Sequence, residues 1–281
     1  MRIAVLGATG VLGRNVIPRF VAAGHEVIAA VRNDHGARLV QNFGAKAKRG
    51  DILDAASLPS IVTGCDAALH LATAIPKPGP KMDWSLNDRI RTDGTRNLIR
   101  ACQAENVRRY VQQSIAMMLG GSNEWRDEDG PVLADHPVYR SSVEMERLVR
   151  DSDLDWRIAR GGLFYGPGTG REEMYRTALA NGELRLPGDG SAYVSLIHVA
   201  DMAAAVVAAT LAPTSRLTVN VVDDHPPTYA ELFGFLAAQA NVPPAPPGGP
   251  PGMASFRVGN QLAKQRLGWR PFYPDYRVGL A

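Results

Sequence analysis

The chain has 281 residues, 45% of them hydrophobic and 21% charged, a composition that supports a sizeable core and excludes wholesale disorder. With 31 basic and 28 acidic residues the formal net charge is +3, and no run of one sign is long enough to mark a nucleic-acid or membrane footprint. A small molecule is the expected partner, and the length suggests a domain of about 160 residues joined to a smaller lobe.

From Arg2 to about Arg160, short apolar or β-branched runs alternate with helical patterns, as in βαβ units with a parallel sheet. The predicted strands are Arg2 to Leu6, Glu26 to Val31, Ala45 to Arg49, Ala67 to Leu71, Arg109 to Gln112 and Trp156 to Ala159. The predicted crossover helices lie near Val11 to Ala23, Ala55 to Thr63, Ser85 to Glu105 and Val138 to Asp151. After Gly161 the pattern loosens into loops rich in Gly and Pro. A helix follows near Arg171 to Ala180, then a strand near Tyr193 to Ile197 and an alanine-rich helix from Val199 to Leu211.

Pro243 to Gly252 reads as an extended surface loop, because its prolines and glycines sustain neither helix nor central strand. The expected class is therefore α/β: a doubly wound Rossmann sheet with helices on both faces, over 1–165 with parts of 193–222, and a lobe for the substrate over 166–281.

Cys65 and Cys102 fall in core-like segments and suggest neither a disulfide framework nor a metal site. No secretory leader is legible at the start, and no apolar run reaches the roughly 18 residues of a membrane span, so a reducing cytoplasm is expected.

Residues Ile3 to Gly13, IAVLGATGVLG, place Gly7, Gly10 and Gly13 between a buried strand and a helix. In that context the first glycine permits the tight turn, the second admits the pyrophosphate to the backbone, and the third lets helix and strand pack. Thr9, Val11 and Leu12 complete the cradle, where the helix offers unpaired N–H groups and its positive end to phosphate. The second strand ends on Arg32, where a guanidinium meets a ribose 2′-phosphate bidentately, favouring NADP(H) while leaving NAD(H) open. Asp34 nearby tempers that reading, and a solvated surface arginine is the alternative.

With these features the chain resembles the extended or atypical short-chain dehydrogenase/reductases, the group of NAD(P)-dependent epimerases, dehydratases and NmrA-like proteins. Besides GATGVLG the resemblance rests on Gly50-Asp51, HLAT at His70 to Thr73, DGTRNL at Asp93 to Leu98, Tyr139 in VYRSS, RGGLFYGPG at Arg160 to Gly168, and IHVADMA at Ile197 to Ala203. It implies that Asp51 and Ile52 contact adenine, that Ala72 and Thr73 line the cofactor groove, and that Tyr139 holds the catalytic tyrosine position. It further implies a homodimer built through the helices around Ser85 to Glu105 and Val138 to Asp151.

The chain departs from that pattern at both supports of the tyrosine. Val143 stands one helical turn after Tyr139, where the family carries lysine, and Ile115 stands at the family serine position, with Ser114 beside it as the candidate to take over the substrate contact. Without a cation Tyr139 is expected to keep a pKa near 10, a poor base but a competent hydrogen-bond donor. Arg91 replaces a family asparagine and either reaches inward or lies on the surface.

His198 and Asp201 open a helix and are expected to cap it. Phe164, Tyr165, Met174 and Tyr193 are the candidates for an apolar substrate pocket. The leading expectation is an NADPH-dependent reductase of a small carbonyl or related unsaturated compound. A sugar-nucleotide epimerase or dehydratase, and a redox-inactive nucleotide sensor, are the alternatives.

Overall fold

The structure is a computed structural model describing residues 1–76, 82–250 and 254–281. The part of the proline-rich loop at residues 251–252 therefore lies outside the described residues. The remainder of that loop, 243–250, carries no helix or strand, and Gly249 forms a single bridge to Pro187.

In chain order the first half comprises β1 (Arg2–Leu6), α1 (Val11–Ala22), β2 (Glu26–Val31), α2 (Asp34–Asn42), β3 (Lys46–Arg49), α3 (Leu58–Val62), β4 (Ala67–His70), α4 (Ser85–Arg89), α5 (Thr95–Ala104), β5 (Arg109–Ile115) and β6 (Ser122–Arg126). The second half comprises α6 (Arg140–Arg150), β7 (Asp155–Gly161), β8 (Leu163–Tyr165), α7 (Arg171–Ala180), β9 (Leu196–His198), α8 (Val199–Leu211), β10 (Leu217–Val221), α9 (Tyr229–Ala240), β11 (Phe256–Val258), α10 (Gln261–Leu267) and α11 (Tyr276–Gly279).

Seven strands form one sheet in the order β10-β7-β5-β4-β1-β2-β3. Its pairings from β5 through β4, β1 and β2 to β3 are parallel, with Ile3 opposite both Val27 and Ala67. The order reverses beside β1, the switch point at which a doubly wound sheet opens a crevice for a ligand. This is the Rossmann architecture expected from the alternating pattern.

Two compact units are defined by the chain's contacts: residues 1–114, 134–159 and 203–218 in one, and 115–133, 160–202 and 219–281 in the other. The first unit's core joins Ala4, Leu6 and Ile28 of the sheet to Leu58, Ile61, Leu98 and Cys102 of the covering helices. The second unit has its own core, with Leu163, Leu196, Phe233, Leu236, Phe256 and Tyr276 at its centre.

The segment expected as one helix from Ser85 to Glu105 contains a π-helical turn, Ile90–Gly94, between α4 and α5. The strand expected at Tyr193 to Ile197 is shorter: Tyr193 and Val194 make isolated bridges, and regular pairing starts at Leu196. Both cysteines are buried thiols. Burial raises the pKa of each, that of Cys102 to about 12. No helix among the described residues is long and apolar enough to cross a membrane.

Candidate active site

The strand-to-helix turn after β1 is built by its glycines. Gly7 adopts φ +87°, a conformation that disfavours any side chain, and a Cβ there would lie 2.5 Å from the Ala72 nitrogen. That close approach draws the end of β4, and with it Ala72 and Thr73, to the glycine turn. A Cβ on Gly13 would lie 2.4 Å from the Gly7 carbonyl oxygen, so helix and turn pack in direct backbone contact.

Gly10 differs, because its added Cβ would meet nothing nearer than the Gly7 oxygen at 3.3 Å. It is the N-cap of α1 and supplies no side-chain cap, so the first-turn N–H groups keep their donor capacity. Thr9 is exposed, Val11 half-buried and Leu12 buried at this end.

Arg32 follows β2 and is 76% exposed, with Nη1 3.8 Å from Oδ2 of Asp51. Its neighbour Asn33 accepts from Gly36 N at 2.8 Å and caps α2, while Asp34 pairs with Arg49. Asp51 Oδ1 accepts from Leu53 N, and Ile52 is buried, its carbonyl taking a 3.1 Å hydrogen bond from Asn97.

Tyr139 is buried immediately before α6, its ring stacked on His136 at 4.5 Å and 22°. Its hydroxyl has no hydrogen-bond partner among the described residues. Desolvation pushes its pKa above the usual tyrosine value, so the phenolate that a base would need is still scarcer near neutral pH than in an ordinary tyrosine.

Arg91 is not a surface residue. It is 5% exposed on the π-helical turn and donates through Nη1 to the Val138 carbonyl at 3.2 Å and to Ser141 Oγ at 3.1 Å. Burial lowers its pKa to about 10. The guanidinium thus braces the same turn that carries Tyr139, whereas Arg140 points outward and is exposed.

Ser114, also buried, donates from Oγ to Glu146 Oε1 at 2.6 Å. Glu146 stands seven residues after Tyr139 on the same helix face, a spacing that the sequence already contained. Arg150 Nη2 reaches its other oxygen at 2.7 Å.

In the second unit the four expected pocket residues have different neighbours. Tyr165 is a core residue, edge-on to His198 at 5.2 Å, and Phe164 packs where a Cβ of Gly161 would be. Met174 is an exposed residue of α7, and Tyr193 covers the guanidinium of Arg257. His198 Nδ1 accepts from Ala200 N at 3.2 Å, and the Asp201 carboxylate accepts from Phe272 N and Tyr273 N at 2.9 and 2.8 Å. These two residues cap and pin, as their position at a helix start implies. Among the described residues, no three His, Cys, Asp or Glu side chains gather as metal ligands.

The NAD(P)H-binding family profile matches residues 7–210. A 3-diazoavenalumate denitrifying reductase from a Streptomyces species is 33% identical over 100% of this chain and 99% of its own length. A 2-alkyl-3-oxoalkanoate reductase from Stenotrophomonas maltophilia is 29% identical over 86% of this chain and 77% of its own. Among solved structures, DesIV, a dTDP-glucose 4,6-dehydratase from Streptomyces venezuelae with NAD bound, superposes with a TM-score of 0.85 at 22% identity. It covers 100% of this chain and 95% of its own, a likeness of fold.

Proposed function

Because the chain belongs to the NAD(P)H-binding family, we propose that it is a reductase that delivers hydride, preferentially from NADPH, to a small carboxylate-bearing electrophile. The carrying observation is the environment of Tyr139: buried, with a raised pKa, and followed by Val143 where a lysine would lower it. Such a phenol does not take a proton from an alcohol near neutral pH. It does donate one to the alkoxide that forms when hydride reaches a carbonyl carbon, and solvent then returns the proton. The base-initiated chemistry of an epimerase or dehydratase fits this tyrosine poorly.

The names of the two reductase relatives supply the substrate class, since both denote carboxylates with an electrophilic group, one a diazo and one a 3-oxo function. The preference for NADPH rests on Arg32, exposed and only loosely paired with Asp51. The same reading takes the protein as a homodimer through α4, α5 and α6, where Leu86 is an exposed apolar residue, and sedimentation analysis tests it.

A second reading follows from the full-length likeness to the diazo reductase. A diazonium carbon or nitrogen that accepts hydride expels dinitrogen without forming an alkoxide, so this reaction needs no lysine-activated tyrosine. Purified protein is to be assayed at 340 nm with NADPH and NADH against 3-oxo acids and an aryl diazonium carboxylate. Oxo-acid turnover that falls about 10²–10⁴-fold in Tyr139→Phe supports the first reading. Diazo turnover indifferent to that substitution supports the second. Tight coenzyme binding without turnover on either class favours a sensor and overturns both.

A further inference from the structure

We infer that Arg257, clamped between Trp125 and Tyr193, is the carboxylate-reading residue of a binding site for a planar organic acid on the β6–β11 face of the second unit. The inference deepens the proposed function and rests on its reading that the ligand carries a carboxylate.

The arrangement follows from strand geometry. Phe256 and Val258 are fully buried, so Arg257 between them turns to the opposite face of β11. The β6–β11 register shifts between Phe256 and Arg257: Phe256 lies opposite Ser122, and Arg257 lies opposite Trp125. An irregularity of this kind re-aims a side chain. On the other flank the chain at Tyr193 runs alongside β11, its carbonyl accepting from Phe256 N at 3.0 Å. The guanidinium carbon consequently sits 4.6 Å from the Trp125 ring centre and 4.4 Å from that of Tyr193.

Two aromatic rings thus pack on the cation, and its N–H edge remains to be engaged. That edge has no partner: among the described residues Arg257 makes no hydrogen bond or ion pair, and its Nε is buried and unsatisfied. The adjacent acids do not neutralise it. Asp127 Oδ1 accepts from Asp129 N at 3.2 Å, and Glu128 Oε1 from Asn220 N at 2.7 Å. A buried donor without an acceptor is unfavourable, and a fixed guanidinium fork matches the two oxygens of a carboxylate.

Trp125, 51% exposed, also forms a wall of a groove of about 430 Å³ with Arg126, Asp127, Glu128, Gln261 and Leu262. That volume suits a small aromatic or alkenoic acid. The carboxylates of Asp127 and Glu128 in the wall oppose a phosphate dianion more strongly than a carboxylate monoanion.

The test is equilibrium binding to the full chain by calorimetry, with cinnamate, cinnamamide and phenyl phosphate as probes and tryptophan fluorescence as a second readout. Cinnamate should bind saturably and quench fluorescence, and Trp125→Phe should remove that quench. Cinnamamide should bind at least tenfold more weakly, and Arg257→Gln, checked for intact circular dichroism, should lose at least tenfold for cinnamate alone. Arg257→Lys, which keeps charge but not the fork, should fall between. No cinnamate binding to the wild-type chain, or equal binding of cinnamamide, overturns the assignment without recourse to any variant. Undiminished binding by Arg257→Gln also overturns it, and tighter binding of phenyl phosphate overturns the ligand class. Coenzyme oxidation without cinnamate binding sinks this site and leaves the reductase reading intact, whereas cinnamate binding without hydride transfer does the reverse.

Discussion

Ser114 spends its hydroxyl on Glu146. The 2.6 Å hydrogen bond joins the end of β5 to the inner face of α6, with both residues buried to 1% exposure. A serine next to the family's substrate-holding position is thereby engaged by a carboxylate of its own chain. Ser114→Ala leaves that buried carboxylate short of a donor, so the expected result in urea unfolding is a loss of about 1–3 kcal/mol. The kinetic constants for hydride transfer should stay near those of the parent, and a collapse of kcat at unchanged stability would return Ser114 to the chemistry.

The glycine turn makes a prediction with two opposite parts. Gly13→Ala forces a Cβ to 2.4 Å from a backbone oxygen, so it should cost about 1–3 kcal/mol or more of folding stability. Gly10→Ala meets its nearest atom at 3.3 Å, so the fold should survive while the new methyl obstructs the coenzyme pyrophosphate. Calorimetric titration should then show at least a tenfold weaker coenzyme, about 1.4 kcal/mol, at an unchanged melting temperature. Unchanged affinity in Gly10→Ala would place the pyrophosphate elsewhere.

Arg32→Ala addresses coenzyme choice. A charge-assisted pair with the 2′-phosphate contributes about 1.5–3 kcal/mol, so NADPH should weaken by about 10–100-fold while NADH is unaffected. Competitive titration of the two coenzymes measures this directly, and equal losses for both would refute the 2′-phosphate contact.

His70 sets a limit on acid stability. It ends β4 fully buried, with Nε2 3.3 Å from the Ile90 carbonyl oxygen, and burial lowers its pKa from 6.5 to about 4. Since the unfolded chain binds a proton more readily, this stabilisation is complete above pH 6.5 and is lost as pH falls toward 4. The loss is on the order of 3 kcal/mol over that window. Guanidinium unfolding at a series of pH values should show the slope, and His70→Gln should flatten it. A parent and variant that lose stability in parallel would assign the slope to other groups.

How much of this was legible in the sequence depends on the length and regularity of each pattern. Of the six strands from β1 to β7, without β6, all but β3, which reads KAKR, were legible as runs rich in apolar residues bounded by turn residues, and the glycine turn was legible because its context is specific. Helix α2 was missed, since its nine residues, DHGARLVQN, bury only Gly36 and Val40, too short a face for a period to stand out in the sequence. Strands β8, β9 and β11 span three residues each, too short for a period to declare itself.

The site divides in the same way. The place given to Tyr139, and the lysine missing at Val143, came from the family resemblance. The inward turn of Arg91 was not legible, because it arises from a π-helical turn that periodicity does not register. Arg257 gave no local signal: its aromatic neighbours lie 132 and 64 positions away along the chain.

Cys65 and Cys102 open an experimental route. Both thiols are buried and burial holds both in the protonated form, so neither presents the nucleophile that a maleimide or iodoacetamide requires. A single engineered cysteine at the exposed Glu124, next to Trp125, would be the sole site of alkylation on the folded chain. A dye attached there would report on β6, the strand that carries Trp125, without any need first to strip the native sulfur atoms from the protein.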